Sequence, residues 1–231
     1  MIAPASPAIP TQRQDRCVAA FFDVDNTLLP GSAIEVRFFR YLWRKGHVGS
    51  REASRSLWYL LQHLPALSLH PLRERKLYLE GKRPAEIEPL AAEFVQAEVC
   101  PRLSSASLAT LERHRDSGHH LVLITGSLDF LIAPLAGHLK VDLALAAVPE
   151  RRGDRYTGSI LPPYPYGEGK RRLVESFAKE AGIALQDSYA YGDSPGDVDT
   201  LRLVGHPLVV NPIRGMGRIA RREGWRIETW K

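Results

Sequence analysis

The stretch Phe21-Phe22-Asp23-Val24-Asp25-Asn26-Thr27-Leu28-Leu29 decides how this chain is read. The apolar run from Cys17 to Phe22 predicts a buried strand that delivers two aspartates separated by one residue. Asn26-Thr27 supplies turn chemistry, so the strand ends here and the chain bends. In an open α/β sheet, ligands bind outside the carboxyl ends of the strands. On that rule Asp23 and Asp25 stand at the lip of a sheet and face a crevice. The competing reading is a helix N-cap carboxylate followed by a surface turn, and the rest of the chain must decide between them.

Before this strand, Met1 to Arg16 holds three prolines and no apolar stretch of signal-peptide length, which predicts a disordered tail over 1–16. After it, Gly31-Ser32 offers a loop and a helix N-cap. From there to about residue 103 only helical patterns occur. Ile34, Phe38, Tyr41 and Leu42 recur at helical spacing. A second helix is expected from Ser50, with Ala53, Leu57, Leu60 and Leu61 on one face. Pro71 and Pro84 sit where first helical turns would begin. The last helix of the set carries Ile87, Leu90, Ala91, Phe94 and Val95. So long a helical stretch between two strands exceeds a simple crossover and reads as an inserted bundle over 31–103.

An α/β pattern then resumes. It comprises a helix from Leu103 to Ser117, a buried strand His120 to Ile124 ending in Thr125-Gly126-Ser127, a helix from Leu128 to Gly137 and a strand Leu143 to Val148. A hairpin follows over Arg151 to Ile160, then a helix from Gly167 to Gly182 and a strand Ser188 to Tyr191 ending in Gly192-Asp193-Ser194. Strand-like runs at Pro207 to Val210 and Trp225 to Glu228 flank a basic helix. Alternation of this kind predicts an α/β fold: a doubly wound parallel sheet, with the core over 17–30 and 104–231 and the helical insertion between.

Composition narrows the class. An apolar fraction of 44% with 25% charged residues is that of an ordinary soluble globular protein, and the longest apolar runs are strand-sized. Cys17 and Cys100 imply no disulfide framework, so a cytoplasmic setting is the expectation. The net charge of +5 is spread over short groups such as Lys170-Arg171-Arg172, without aromatic interleaving, which argues against a nucleic-acid partner.

The strand ends bring a particular chemistry together. Asp23/Asp25, Thr125-Gly126-Ser127 and Gly192-Asp193-Ser194 with Asp197 all follow strands, and Lys170 opens a helix. This set suits phosphoryl transfer through an aspartyl-phosphate. Asp23 is the candidate nucleophile and Asp25 the candidate general acid–base. Thr125, the Gly126 and Ser127 amides and Lys170 are candidates for binding the phosphoryl oxygens. A carboxylate attacking a phosphate requires a divalent cation, and Mg²⁺ suits hard oxygen ligands from Asp23, the Asp25 carbonyl, Asp193 and Asp197. Singly, Thr125 would serve as a helix cap, Lys170 as a surface lysine and Asp197 as a first-turn acid. Jointly, and in this order, they point to a site.

The same motifs resemble the haloacid dehalogenase superfamily: Asp23-Val24-Asp25-Asn26-Thr27-Leu28-Leu29, then Thr125-Gly126-Ser127, Lys170, and Gly192-Asp193-Ser194-Pro195-Gly196-Asp197. A helical insertion directly after the first motif is similar to the C1 cap of the phosphoserine-phosphatase-like branch. Asp25, two residues after the nucleophile, resembles the phosphatase members rather than the dehalogenases. The resemblance implies a Mg²⁺-dependent phosphomonoesterase acting on a small phosphorylated substrate, of phosphoserine or histidinol phosphate type. Glu35 and Arg37, with Arg40, on the first inserted helix are the candidate substrate readers, although both arginines also suit a solvated helix face. Glu35 lies a few residues later than the branch's amine-reading glutamate, and Thr-Gly-Ser replaces its usual Ser-Gly-Gly. Trp43, Trp58 and Tyr59 are expected to pack within the insertion. A lipid phosphatase at a membrane surface, using an apolar face around Ser56 to Leu69, is the less favoured alternative, as is a silent phosphate-binding protein.

Overall fold

In a computed structural model of the chain, which describes residues 17–52, 54, 55, 58 and 75–230, the first strand is the centre of the molecule. β1 (Ala19–Phe22) has β2 (His120–Leu128) on one side and β5 (Tyr189–Gly192) on the other, both parallel to it. Outward from β2 lie β3 (Leu143–Arg152) and β4 (Arg155–Leu161); outward from β5 lie β6 (His206–Val210) and β7 (Arg226–Glu228). The seven-stranded order is therefore β4-β3-β2-β1-β5-β6-β7, and only the β3–β4 hairpin is antiparallel.

The continuous apolar run of β1 follows from this position. Successive side chains of a strand point to opposite faces, and here both faces are covered. Ala20 and Phe22 enter one core, while Ala19 and Phe21 enter the other. β2 divides in the same way, with Leu121 and Leu123 on the first side and Val122 and Ile124 on the second. Burying a phenylalanine contributes about 1.5–3 kcal/mol, so Phe21 and Phe22 anchor the strand end on both faces just before Asp23. The first core also takes residues of α1 (Ile34–Arg44), α2 (Pro84–Phe94), α3 (Ser105–Asp116) and α4 (Asp129–Leu139). The second is closed by α5 (Glu168–Ala181), α6 (Val198–Leu203) and α7 (Met216–Glu223).

Helix limits follow local chemistry. α1 buries the expected stripe of Ile34, Phe38, Tyr41 and Leu42, and α2 starts at Pro84 and buries Ile87, Ala91 and Phe94. A π-helical turn, Val95–Val99, carries α2 onward to the α/β core. α5 ends at Gly182 in the left-handed conformation, φ 68°, which satisfies the last carbonyls at no steric cost.

Several expectations are corrected. β2 does not stop at Ile124 but continues through Thr125-Gly126-Ser127 to Leu128. Ile124 pairs with Leu145 and Leu128 with Ala147, so β2 accommodates the motif in a bulge. Trp43 and Trp58 do not pack into a core; they are 46% and 63% exposed. Trp43 lies off the apolar stripe of α1, which explains its position. Trp230 is buried against Tyr191, with ring centroids 5.4 Å apart. Both cysteines are free thiols.

Ser50, Arg51, Glu52, Ser54, Arg55 and Trp58 are helical, whereas the rest of the expected second helix, Pro71, the apolar face drawn toward Leu69 and the tail over 1–16 lie outside the described residues. The later part of the insertion runs alongside β4: Lys76 donates its amide to Gly158 at 2.6 Å and Gly81 to Tyr156 at 2.9 Å, while the Tyr156 amide donates to Lys82 at 3.0 Å. Among the described residues no helix is long and apolar enough to cross a membrane.

A buried histidine, unmarked in the sequence, packs beneath β1. His114 Nε2 lies 2.6 Å from the Tyr191 hydroxyl and its Nδ1 2.8 Å from Nδ1 of His119. Burial, then the neighbouring His119 and Arg113, lowers its pKa from 6.5 to about 4. Between those pH values the unfolded chain binds a proton that the folded protein refuses, so stability falls as pH drops from 6.5 toward 4 and levels below. Urea denaturation at a series of pH values should show this loss, with His114 contributing at most about 1.4 kcal/mol per pH unit. The slope should be shallower in His114→Asn.

Candidate active site

Asp23 is the first residue beyond β1, and its amide still donates to Tyr191 of β5 at 2.9 Å. The chain then coils tightly: the Leu28 and Leu29 amides both donate to the Val24 carbonyl at 3.0 Å, and Asn26 adopts a left-handed φ of 59°. This coil turns Asp25 toward α1 and β2. The Ile34 amide, at the start of α1, donates to Asp25 Oδ1 at 2.7 Å, and the Ser127 hydroxyl donates to Oδ2 at 2.9 Å. Asp25 thus stabilises a helix N-terminus while lining a cavity, so the N-cap reading and the site reading describe one residue.

β1 and β5 lie at the point where the strand order changes direction, and the site forms across it. Lys170, in the first turn of α5, is buried there. Its ammonium donates to Asp23 Oδ1 at 2.7 Å and to Asp197 Oδ1 at 2.6 Å. Gly169 permits this approach, because a Cβ at that position would lie 1.6 Å from the Tyr164 carbonyl oxygen. Asp197 Oδ2 accepts from the Asp193 and Ser194 amides and the Ser194 hydroxyl, at 3.3, 3.0 and 2.9 Å. On the far side, Asn26 Nδ2 donates to Asp193 Oδ2 at 2.9 Å and to the Asn211 carbonyl at 2.8 Å. Asn211 in turn donates to the Asn26 carbonyl at 2.8 Å and the Trp230 carbonyl at 3.0 Å.

A cavity of about 610 Å³ opens over these groups. Thr125, Gly126 and Ser127 line it beside the aspartates, as do Tyr164, Pro165 and Tyr166. Glu35, Val36 and Lys76 of the insertion form another part of its wall. The Ser127 amide donates to Thr125 Oγ1 at 3.2 Å within the bulge of β2.

The electrostatics are unbalanced. Four carboxylates, those of Asp23, Asp25, Asp193 and Asp197, gather around the single ammonium of Lys170. Burial, followed by repulsion from Asp197, pushes Asp193 up to about 7. Burial also raises Asp23 well above the usual carboxylate range; Lys170 opposes this, and the other aspartates add to it. Asp25 is raised by burial despite the Ile34 amide and Ser127 hydroxyl, which favour its ionised form. Burial weakens the Lys170 charge, but Asp197 and Asp23 outweigh it and hold its pKa above the ordinary lysine value. Buried charges of one sign are costly without a counter-charge. Asp23, Asp193 and Asp197 each offer a carboxylate oxygen within 4.8 Å of the others. This hard-oxygen set fits a divalent cation such as Mg²⁺.

The residues singled out at the strand ends, Gly192 excepted, line this one cavity together with Lys170. Glu35 also lines it, but its carboxylate already accepts from Lys76 Nζ at 2.6 Å and the Tyr78 hydroxyl at 3.3 Å. Arg37 does not line it: its guanidinium donates to the Ser32 and Pro30 carbonyls at 2.9 Å, which ties down the turn before α1. Arg40 is exposed. Sequence reasoning missed the Asn26–Asn211 pair and Lys76. Asn26 reads as a turn residue and Asn211 as a strand end, and only the fold joins them.

The family model of the haloacid dehalogenase-like hydrolases matches residues 20–202. The chain is 31% identical to a phosphoserine phosphatase of Mycobacterium tuberculosis, over 94% of this chain and 72% of that protein. It is 27% identical to a histidinol-phosphatase of Neisseria meningitidis, over 92% and 98% of the two chains. Among solved structures, a Bordetella pertussis protein of unknown function superposes with a TM-score of 0.80 at 31% identity, covering 92% and 98% of the two chains. An apo phosphoserine phosphatase structure shares the fold, with a TM-score of 0.63 at 17% identity and 94% coverage of each chain.

The tight approach at Gly169 yields a direct test. Gly169→Ala should force α5 away from the Tyr164 carbonyl and displace Lys170. A loss of stability of about 1–3 kcal/mol in urea denaturation is expected from the overpacking, accompanied by reduced phosphatase turnover.

Proposed function

The chain belongs to the haloacid dehalogenase-like hydrolase family and is a phosphatase, and from that premise we propose that it hydrolyses a small phosphorylated metabolite through an aspartyl-phosphate on Asp23. The observation that carries this reading is the pairing of two differently held aspartates. Asp23 is fixed by Lys170, and Asp25 is held by Ile34 and Ser127 at the cavity wall. Their environments suit two roles, nucleophile and proton donor.

In the first half-reaction a carboxylate oxygen of Asp23 forms a bond to phosphorus as the ester P–O bond breaks. Asp25, its pKa raised by burial, gives a proton to the leaving oxygen. In the second half-reaction Asp25 takes a proton from water as the water oxygen bonds to phosphorus and the Asp23–phosphorus bond breaks. Lys170, Thr125 and the amides of Gly126 and Ser127 bind the phosphoryl oxygens as charge shifts among them. Asp23, Asp193 and the Asp25 carbonyl are the ligands we assign to Mg²⁺, whose charge lets an anionic nucleophile and an anionic substrate approach. Asp197, with both oxygens engaged, positions Lys170 and supports the metal face. Asn26 orients Asp193, an outer-shell contact of the kind that tunes a metal ligand. The insertion over 31–103 is the cap in this reading, because Glu35, Val36 and Lys76 wall the cavity. The named activities of the relatives support phosphoserine or histidinol phosphate as the type of substrate.

Asp23→Asn should abolish phosphate release while leaving the far-ultraviolet circular dichroism spectrum and melting temperature intact. Retained turnover would remove Asp23 from the nucleophile role. Asp25→Asn should lower kcat by about 10²–10⁴-fold, the usual weight of a general acid–base. Chelation of divalent cations should stop the wild-type reaction, and added Mg²⁺ should restore it.

A further inference from the structure

Among the described residues, the cavity walls carry one cation that no carboxylate pairs with. Three basic side chains line the cavity: Lys170, Lys76 and Arg214. Lys170 is bound by Asp23 and Asp197, and Lys76 by Glu35 at 2.6 Å. Arg214 is exposed, and among the described residues no carboxylate pairs with it. Its backbone is left-handed, φ 45°, a conformation that a residue other than glycine keeps only where its surroundings impose it. They do so here. On one side the Ile213 amide donates to the Asp193 carbonyl at 2.9 Å, and on the other the Met216 amide donates to the Ile213 carbonyl at 2.8 Å. The loop that presents Arg214 is thus tied to the same residue that Asn26 orients.

Beyond the reacting phosphoryl group, the part of the substrate held by these walls meets a Glu35–Lys76 ion pair, the apolar surfaces of Val36, Ile160 and Ile213, and the Arg214 guanidinium, unpaired among the described residues. An amine on the substrate would find Glu35 already taken by Lys76 and Tyr78. A single negative group would be matched in charge, whereas a second phosphate dianion would exceed what one guanidinium neutralises. The planar fork of arginine also suits a carboxylate in bidentate geometry.

We propose that Arg214 is a specificity-determining residue that binds a carboxylate borne by the phosphomonoester away from its phosphorus. The proposal rests on the phosphatase reading above and narrows its substrate class to carboxylate-bearing esters. It places histidinol phosphate, which carries an amine and an imidazole but no acid, outside the preferred class.

The test compares kcat/KM in the presence of Mg²⁺ for 3-phosphoglycerate, glycerol 3-phosphate and histidinol phosphate. Wild-type protein should favour 3-phosphoglycerate over glycerol 3-phosphate by about tenfold or more, as expected when an ionic contact is lost. Arg214→Asn, which retains a side chain tolerant of the left-handed backbone, should collapse that ratio toward one, mainly through KM. Arg214→Lys should restore part of it. The ratio is insensitive to a general loss of active protein. Wild-type turnover with a ratio near one, a ratio unchanged in Arg214→Asn, or a preference for histidinol phosphate would each overturn the assignment while leaving the phosphatase reading intact. Failure of the wild-type protein to hydrolyse any of the esters would overturn both.

Discussion

The ammonium of Lys170 is sealed between Asp23 and Asp197, and the positions of the surrounding groups follow from that contact. One carboxylate belongs to the end of β1 and the other to the segment after β5, while the lysine belongs to α5, which packs on one face of the sheet. An uncompensated charge at this depth would cost several kcal/mol, so the three segments are constrained to meet. The same requirement reaches outward. Gly169 lets α5 come close enough, and Gly192 leaves room for Asp197, because a Cβ there would sit 2.5 Å from that of Asp197. These glycines serve proximity rather than flexibility.

A second constraint runs through the other flank. Asp193 is oriented by Asn26, Asn26 is clasped to Asn211, and Asn211 is bound to Trp230. Trp230 packs on Tyr191, whose ring stacks on Phe22 at 4.5 Å. The polar chain and the aromatic stack therefore lead back to the same strand end. A site with four acidic groups is held rigid by neutral amides and rings instead of by further ions, which leaves its negative charge available to a cation.

The sheet and the placement of the polar motifs around one cavity were legible because each rests on a local rule. Uninterrupted apolar runs mean strands buried on both faces, and polar residues directly after such runs stand at their carboxyl ends. The run through Thr125-Gly126-Ser127 was misjudged, since a bulge that keeps a polar motif inside a strand has no signature in residue type alone. The amide clasp of Asn26 and Asn211 and the pairing of Glu35 with Lys76 were hidden for a different reason. Their partners are far apart in the chain, and only the tertiary fold brings them together. Trp43 was misplaced because an aromatic at near-helical spacing fits the buried stripe and its flank equally well.

The strand pairing made by the insertion also matters at the rim of the sheet. β4 is the outermost strand on its side, and an uncovered edge is a template for another chain. Here residues 75–82 occupy that edge with backbone hydrogen bonds to Tyr156 and Gly158. At the opposite rim, β7 is only Arg226–Glu228, short and charged. The insertion that walls the cavity therefore also guards the protein against edge-to-edge aggregation, and a chain stripped of it would expose the longer of its two sheet margins to self-association.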